Sequence, residues 1–387
     1  MIYLDYHATT PVDPDVLAAM LPYFSQRFGN ASSKSHRFGW EAEAGVDKAR
    51  SQVANLIGAS TSEILFTSGA TEADNLALLG VLSAAGPGAH AITQVTEHKA
   101  VLDTLTAWER RGGSVTRLAV DRFGRVDPAA VEAAITDRTA IISIMFVNNE
   151  IGTIQPIAEI GRIARRHGVH FHTDVAQAAG KLPIDVDEQC IDLLSISAHK
   201  MYGPKGVGAL YVRRRGPRVV LEPQVFGGGQ EGGMRSGTLA VPLIVGLGKA
   251  AEIAGSVMDE ESERIRNQRD RLWSALQEGL GDAVRLNGPP VDGDRLAANL
   301  SVTFRGLGIE ADTLLTALVQ HVAVSPGSAC NSAHVDASYV LKAIGVPADA
   351  ARATLRFGLG RPTTDAEILE AAAQTVRLAK SVLSPAR

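Results

Sequence analysis

A lysine at the end of an apolar run is the first residue of this sequence whose type and position suggest chemistry. In SISAHKMYGPKG (195–206) the apolar residues stop at His199 and Lys200, and a Pro/Gly turn follows. Ser197 and His199 can hydrogen-bond a phosphate, and a lysine amine can form a Schiff base with an aldehyde. Strands also end at ordinary solvated lysines, so this stretch leaves both interpretations open. Lys205, in the turn itself, is the competing lysine and is expected to be solvated.

A second stretch, TSGATEADN (67–75), places small residues before a predicted helix. Thr71 is a plausible N-cap, with Glu72 and Asp74 in the first turn. Backbone N–H groups at such a helix start, here Ala70 and Thr71, bind phosphate well. An ordinary capped helix would have the same sequence, so the stretch alone does not establish a phosphate site.

Polar residues follow three more predicted strands. His98 lies in TEHKAVL (96–102), Asn149 in VNNEIGTIQPI (147–157), and Asp174 and Gln177 in HTDVAQAAGK (172–181). A lone histidine is usually structural, and asparagine is common in turns. Asp174 could belong to a surface turn, but a carboxylate that ends a buried strand needs a cationic or N–H partner.

Together these residues match one ligand, pyridoxal 5'-phosphate. Its phosphate needs N–H and hydroxyl donors, its ring nitrogen needs a carboxylate, and its aldehyde needs a lysine. The carboxylate keeps the ring nitrogen protonated, so that the ring can accept electrons from a carbanion. No metal site is expected.

The elements that must position these residues alternate between strand and helix. The predicted strands, each a short apolar run without alternation, are 63–67, 90–95, 140–147, 168–174 and 192–197. The helix-like segments between them are 41–57, 71–85, 99–111 and 156–168. This order predicts an α/β fold with a mostly parallel sheet covered on both faces, in which ligands sit at the carboxyl ends of the strands.

The C-terminal part of the sequence predicts a smaller α+β domain. A long helical pattern runs from about Val241 to Leu280, and a second one from Asp365 to about Leu383. We expect a large cofactor-binding domain over residues 14–255. The small domain then comprises residues 1–13 and 256–387.

Composition narrows the class of protein. The 387 residues are 45% hydrophobic and 21% charged, with a formal net charge of −4, which argues against a direct nucleic-acid binder. No run is expected to span a membrane. Two cysteines, Cys190 and Cys330, cannot form a disulfide framework, so a reducing cytoplasm is expected.

Motifs in order along nearly the whole chain resemble the cysteine desulfurases of the NifS/IscS type, within the fold-type I, class V aminotransferase-like enzymes. The matching motifs are YLDYHATTPVDP (3–14), GNASSKSHRFG (29–39), TSGATEADN (67–75), TEHKAVL (96–102), NNEIGTIQPI (148–157), HTDVAQAAGKLPIDV (172–186), SAHKMYGPKG (197–206), GGGQEGGMRSGT (227–238), SPGSACNSAHVDASYVL (325–341) and LRFGLGRPTT (355–364).

This resemblance implies roles around the cofactor ring. Lys200 is expected to bind the cofactor covalently and to act as a base at the substrate Cα. His98 is expected to stack on the ring and transfer protons. Asp174 pairs with the ring nitrogen and Gln177 with the ring hydroxyl, and Asn149 lies beside that hydroxyl and the substrate carboxylate.

The resemblance also implies the phosphate and carboxylate contacts. Thr71, Ser197 and His199 hold the phosphate with the Ala70–Thr71 backbone. Thr238 is expected to reach the phosphate of the other subunit, which implies a homodimer. Arg356 is expected to hold the substrate carboxylate through a two-pronged contact, which suits guanidinium geometry.

Cys330 is the residue that distinguishes a desulfurase from an aminotransferase. The resemblance implies that its thiolate takes the sulfur of L-cysteine, leaving L-alanine and a persulfide. The persulfide then passes to an acceptor protein, such as an iron–sulfur scaffold or a tRNA or DNA thiolation enzyme. The small and turn-forming residues around Cys330 allow a mobile loop, whereas a buried cysteine would pack as a small hydrophobe. Cys190, beside an apolar run, is expected to pack.

Two departures from the family pattern and three other functions stay open. Gly232 stands where relatives often carry arginine, and Pro326 is expected to stiffen the start of the cysteine loop. The alternatives are a selenocysteine lyase, a class V aminotransferase and a non-catalytic scaffold for a sulfur-relay partner.

Overall fold

The computed structural model describes residues 1–306, 311–326 and 337–383. The strands are β1 Ile2–Tyr3, β2 Ile64–Thr67, β3 His90–Gln94, β4 Ser114–Leu118, β5 Thr139–Ser143, β6 His170–Asp174, β7 Leu193–Ser197, β8 Gly208–Val212, β9 Val284–Leu286, β10 Asn299–Phe304, β11 Val322–Ala323, β12 Ser325–Pro326 and β13 Thr354–Gly358. The helices are α1 Pro14–Met20, α2 Pro22–Ser25, α3 Arg37–Leu56, α4 Ala70–Ala85, α5 Lys99–Arg110, α6 Pro128–Ala133, α7 Ile157–His167, α8 Val241–Leu280, α9 Ala311–Leu318, α10 Tyr339–Ala343, α11 Ala348–Arg352 and α12 Asp365–Leu383.

A seven-stranded sheet with the order β2-β8-β7-β6-β5-β3-β4 forms the centre of the large domain. Strand β8 is antiparallel to both β2 and β7, and the other neighbours are parallel. Because β8 alone is reversed in this sheet, the carboxyl ends of the other six strands meet at one edge. The polar residues found in the sequence leave the strands at that edge.

The sheet is covered on both faces, as the runs of apolar residues predict. In β7, Leu193 belongs to a buried cluster with α4 and α5, and the next residue, Leu194, belongs to the cluster with α3, α7 and α8. Successive side chains of a strand point to opposite faces. A strand covered on both faces therefore has to be apolar at every position, which makes it recognisable from sequence.

The predicted elements are confirmed within a few residues, with three differences. The strand predicted over 140–147 ends at Ser143, after which the chain leaves the sheet toward the site. The sequence pattern did not reveal β4, an edge strand whose residues are exposed or half-buried. Nor did it predict the antiparallel direction of β8.

A four-stranded antiparallel sheet with the order β12-β13-β10-β9 lies in the C-terminal part. Strand β1 pairs with β11, and Asp5 then bridges to Gly358 at the end of β13. Helix α8 runs without interruption through residue 255, so the boundary proposed there falls within a helix. The division into residues 14–255 and 1–13 with 256–387 stays a prediction.

The expectation that no run of this sequence is long and apolar enough to span a membrane needs correction. Helix α8 contains a stretch that is long and apolar enough to cross a membrane by length and composition alone. Much of this stretch is buried, with Ile244, Leu247 and Ala251 packed in the core. A soluble core helix passes the same test, because burial in protein and burial in lipid both favour apolar residues.

Gly208, at the site edge of the sheet, is closely packed against its neighbours. It pairs with Thr67 on one side and Ser197 on the other, and a Cβ there would lie 2.3 Å from the Ile196 oxygen and 2.7 Å from Gly69 Cα. We expect Gly208→Ala to lower the free energy of unfolding by about 1–3 kcal/mol through this overpacking. Urea denaturation measures the change.

Gly255→Ala is the matched control for that variant. Gly255 is exposed in α8, and an added Cβ would meet Leu56 Cδ1 at an ordinary 3.6 Å. Alanine there should raise the free energy of unfolding by roughly 0.5–1 kcal/mol, because it is the better helix former. Equal effects of the two substitutions would contradict the close packing around Gly208.

Candidate active site

A cavity of about 660 Å³ opens at the carboxyl edge of the large sheet. It gathers residues that are separated by up to 349 positions in the chain. The predicted site residues that line it are Ala70, Thr71, His98, Asn149, Asp174, Gln177, Ser197, His199, Lys200 and Arg356. The strand ends identified in the sequence therefore converge on one space.

The start of α4 forms one end of this cavity. The prediction that Thr71 is the N-cap is wrong, because Thr71 is the second residue of the helix. Gly69 is the N-cap and makes no side-chain capping bond. Its φ of +153° suits glycine, and a Cβ at that position would meet nothing within 4 Å. Open space above uncapped N–H groups at the end of a 16-residue helix suits an anion such as phosphate.

Two side chains from the end of β7 also line the cavity. Ser197 is buried, and His199 Nδ1 lies 3.1 Å from Thr9 Oγ1. Burial, together with the nearby Lys200 and Lys205, lowers the pKa of His199 to about 4. His199 is therefore neutral at pH 7 and offers a hydrogen bond rather than a charge.

Asp174 is a buried carboxylate that lines the cavity where β6 ends. Burial raises its pKa, while His98, the Ala176 N–H and Lys200 act in the opposite direction. The Ala176 N–H donates to Asp174 Oδ1 at 2.8 Å. The Ala176 N–H and the Lys200 amine thus favour the carboxylate form of Asp174, which is suited to hold a protonated ring nitrogen.

Three buried polar residues near Asp174 were missed by the sequence analysis. Both carboxylate oxygens of Asp74 lack a hydrogen-bond partner among the described residues, and His172 Nε2 lies 3.5 Å away. Burial raises the pKa of Asp74 well above its usual range and that of Glu97 to about 8, and it lowers the pKa of His172 to about 3. Burial thus disfavours the charged form of each of these three groups beside Asp174.

Lys200 places its amine inside the cavity. The Lys200 Nζ donates to the carbonyl oxygens of His7 at 2.5 Å and Ala8 at 2.7 Å. Burial and the charge of Arg356 lower its pKa to about 8, which increases the fraction of nucleophilic free amine at neutral pH. Lys205 is exposed, as predicted, although it also borders the cavity.

His98 is the N-cap of α5. Its Nδ1 accepts a hydrogen bond from the Ala100 N–H at 3.1 Å. A neutral imidazole that accepts at Nδ1 carries its proton on Nε2. The ring is exposed in the single chain and borders the cavity, so His98 is oriented by its own helix and still reachable by a ligand.

Arg356 is buried where β13 meets the N-terminal segment. Its side chain donates to the Asn149 carbonyl oxygen at 3.0 Å, to Asp5 Oδ1 at 3.1 Å and to Ser325 Oγ at 3.1 Å. Its Nε has no hydrogen-bond partner among the described residues. A buried, unsatisfied guanidinium N–H bordering the cavity suits a carboxylate ligand.

The glycine-rich loop before α8 is anchored by two ion pairs. Glu231 accepts from Arg50 at 2.8 Å, and Arg235 Nε donates to Glu72 Oε1 at 2.7 Å. Gly232, with a φ of +64°, lies between them and is exposed. Thr238 is exposed and does not line the cavity of its own chain, so its contact with another subunit's phosphate stays a prediction.

Neither cysteine lies in the described part of the cavity wall. Cys330 is outside the described residues, but β12, which ends four residues before it, contributes Ser325 and Pro326 to the cavity. Cys190 is half-buried in a turn with a φ of +53°, rather than packed in the core.

The fold and the cavity define an α/β enzyme site with an anion end, a buried carboxylate and a nucleophilic lysine. The Aminotransferase class-V model matches residues 2–370. The cysteine desulfurase IscS of Anaeromyxobacter dehalogenans is 55% identical over 95% of this chain and 89% of that protein. A solved NifS-like protein superimposes with a TM-score of 0.89 at 36% identity, over 98% of this chain and 99% of the other. A structure of SspA in complex with cysteine superimposes with a TM-score of 0.82 at 40% identity, over 93% of this chain and 99% of the other.

The chain therefore belongs to the class V aminotransferase family. The chain has the fold of the fold-type I enzymes. The cofactor of this family is pyridoxal 5'-phosphate. The cavity fits this group, because the open N-terminus of α4 suits the phosphate and the buried Asp174 carboxylate needs a cationic partner.

Substitutions of Lys200 and Lys205 should affect covalent attachment of the cofactor differently. Lys200→Ala should abolish covalent attachment, since its amine is the buried one, and Lys205→Ala should retain it. Borohydride reduction of the loaded full-length chain, followed by peptide mass spectrometry, locates the trapped cofactor. A cofactor trapped on Lys205 of the wild-type chain would reverse the assignment.

Proposed function

We propose that this chain is a cysteine desulfurase that converts L-cysteine to L-alanine and holds the released sulfur as a persulfide on Cys330. The observation that carries the proposal is the convergence of Lys200, Asp174 and Arg356 on one cavity whose wall includes the strand leading to Cys330. Identity of 55% to a cysteine desulfurase supports the same reaction.

Substrate binding falls to Arg356 and Asn149. Arg356 lines the cavity and its Nε has no hydrogen-bond partner among the described residues, so we assign the substrate carboxylate to this side chain. Asn149 borders the cavity, and its own carbonyl holds the Arg356 guanidinium in place. One site thus fixes the carboxylate, which leaves the amino group and Cα to face Lys200.

Proton transfer falls to Lys200 and His98. The lowered pKa of Lys200 makes its amine a base near neutral pH, suited to remove the Cα proton. His98, whose Nδ1 is held by its own helix, borders the cavity and can take up and pass on a proton there. When bound, the cofactor supplies an electron sink for the charge that forms at Cα.

The sulfur step needs no external oxidant. The Cys330 thiolate attacks the substrate sulfur, the carbon–sulfur bond breaks, and its electron pair stays with the carbon, which is protonated to give alanine. The substrate L-cysteine and the Cys330 thiol together become L-alanine and the Cys330 persulfide, so atoms and electrons balance. An acceptor protein, such as an iron–sulfur scaffold or a thiolation enzyme, would then take the outer sulfur.

Cys330→Ser should abolish alanine formation from L-cysteine in the presence of an acceptor thiol, because serine cannot carry the persulfide. Cys190→Ser is the matched control and should retain activity, since Cys190 lies in a turn away from the cavity. Alanine release and protein-bound sulfur labelled from radioactive cysteine are the measurements. Full activity of Cys330→Ser would favour a selenocysteine lyase instead.

We also propose that the chain acts as a homodimer. Four aromatic side chains between residues 24 and 40 are at least half exposed: Phe24, Phe28, Phe38 and Trp40. Phe226, in the anchored glycine-rich loop, is 79% exposed. A second copy of this chain would cover such side chains, and it would bring Thr238 to a neighbouring cavity.

Sedimentation equilibrium tests the dimer. The wild-type chain should sediment at about twice its monomer mass of 40.8 kDa. Phe226→Asp should raise the dissociation constant of the dimer by about tenfold or more, because it places a charge in an apolar interface. Leu369→Asp, at an exposed position of α12, should leave it unchanged. A monomeric wild-type chain would contradict the proposal.

We place the reaction in the cytoplasm, where acceptor thiols are kept reduced. Two cysteines in 387 residues support this location. Cell fractionation with an antibody to the chain checks it.

A further inference from the structure

His7 is a second histidine of the cavity and has no role in the reaction described above. It is 2% exposed and lines the cavity between Ala8 and Gln177. It belongs to the N-terminal segment that leaves β1 and bridges at Asp5 to β13. A Cβ on Gly358 would lie 2.8 Å from the His7 ring and 2.9 Å from its backbone nitrogen, so β13 packs directly against this residue.

Two groups of His7 contact Gln177. The His7 Nδ1 lies 2.9 Å from Gln177 Oε1, and the Gln177 Nε2 donates to the His7 carbonyl oxygen at 3.0 Å. The same carbonyl accepts from Lys200 Nζ at 2.5 Å. One residue thus touches both the amide expected to bind the ring hydroxyl and the amine expected to bind the aldehyde.

The amide orientation of Gln177 determines the tautomer of His7. Lys181 Nζ, a donor, lies 3.4 Å from Gln177 Oε1, and the His7 carbonyl requires a donor from Nε2. Both contacts place Oε1 toward His7 Nδ1, so Nδ1 must carry the proton and donate.

The imidazole is neutral, which completes this assignment. Burial lowers the pKa of His7 well below its usual range, and Lys181, Arg356 and Lys200 lower it further. A neutral ring with its proton on Nδ1 leaves Nε2 bare, 3.1 Å from the Ala298 carbonyl oxygen.

We propose that His7 is a positioning residue for the cofactor site: its Nδ1–H fixes the Gln177 amide so that Nε2 keeps a second hydrogen for the ring hydroxyl. This role rests on the proposed function and deepens it. Only the His7 backbone carbonyl contacts the Lys200 amine, and side-chain substitutions at His7 leave that carbonyl in place. The effect of the His7 imidazole therefore acts through Gln177.

Cofactor affinity of four full-length chains tests the role. An absorbance titration measures the dissociation constant of pyridoxal phosphate for the wild type, His7→Ala, His7→Asn and His7→Gln. The Asn amide nitrogen replaces Nδ1 and the Gln amide nitrogen replaces Nε2. We expect His7→Ala and His7→Gln to bind about tenfold more weakly, which is the effect of one lost buried hydrogen bond. His7→Asn should stay within about threefold of the wild type, because it keeps the donor and removes the contact with Ala298.

A cofactor analogue without the ring hydroxyl separates positioning from general damage. The 3-deoxy analogue cannot use the Gln177 amide, so its dissociation constant should be nearly equal in all four chains. His90→Asn is the matched control, because His90 is also buried and bonded through both ring nitrogens, to Thr139 and Thr116, at the far end of β3. It should leave both ligands unaffected.

The outcomes separate this inference from the proposed function. Equal weakening of both ligands by His7→Ala, or equal behaviour of His7→Asn and His7→Gln, would overturn the positioning role while the cofactor site stands. A wild-type chain that does not bind pyridoxal phosphate at all would overturn the proposed function and, with it, this role.

Discussion

A carboxylate that the fold buries at the end of β6 is the constraint on which the site depends. Asp174 is 6% exposed, and a buried charge is costly without compensation. The Ala176 N–H, in the turn after β6, donates to it, and Lys200, after β7, lowers its pKa. Burial also raises the pKa of the neighbouring Asp74 and Glu97, which disfavours further negative charge beside Asp174.

The direction of the strands makes this compensation possible. Six of the seven strands in the large sheet end at the same edge, so residues far apart in the chain reach one cavity. The reversed strand β8 begins at that edge with Gly208, whose missing side chain lets Gly69 approach the sheet. The turn at Gly69 then exposes the uncapped N–H groups of α4. The phosphate end of the site is therefore a consequence of backbone packing as much as of side-chain type.

The N-terminal segment links the two sheets at the cavity. Asp5 bridges to β13 and accepts from Arg356, and His7 and Ala8 accept from Lys200. The group that would bind the substrate carboxylate and the group that would bind the cofactor are thus held by neighbouring residues of one short stretch. Their relative position depends on β1 and β13 remaining paired with their neighbours.

The sequence by itself determined the elements and the chemistry at their ends. A strand covered on both faces is apolar at every position, so a polar residue that ends such a run is visible without any structure. This is why Lys200, Asp174, His98 and Asn149 could be identified in advance. The edge strand β4 lacked that signal, because its residues are partly in water.

Only the tertiary structure decided how these residues are partnered. The contacts of His7 with Gln177 span 170 positions. The shifted pKa values of Asp74, Glu97 and His172 follow from burial by elements distant in the chain. Thr71 has the side chain of an N-cap, yet the N-cap is Gly69, two residues earlier, where the chain closely approaches Gly208 of β8. Protonation, capping and hydrogen-bond partners depend on what packs nearby in space, and the local sequence does not contain that information.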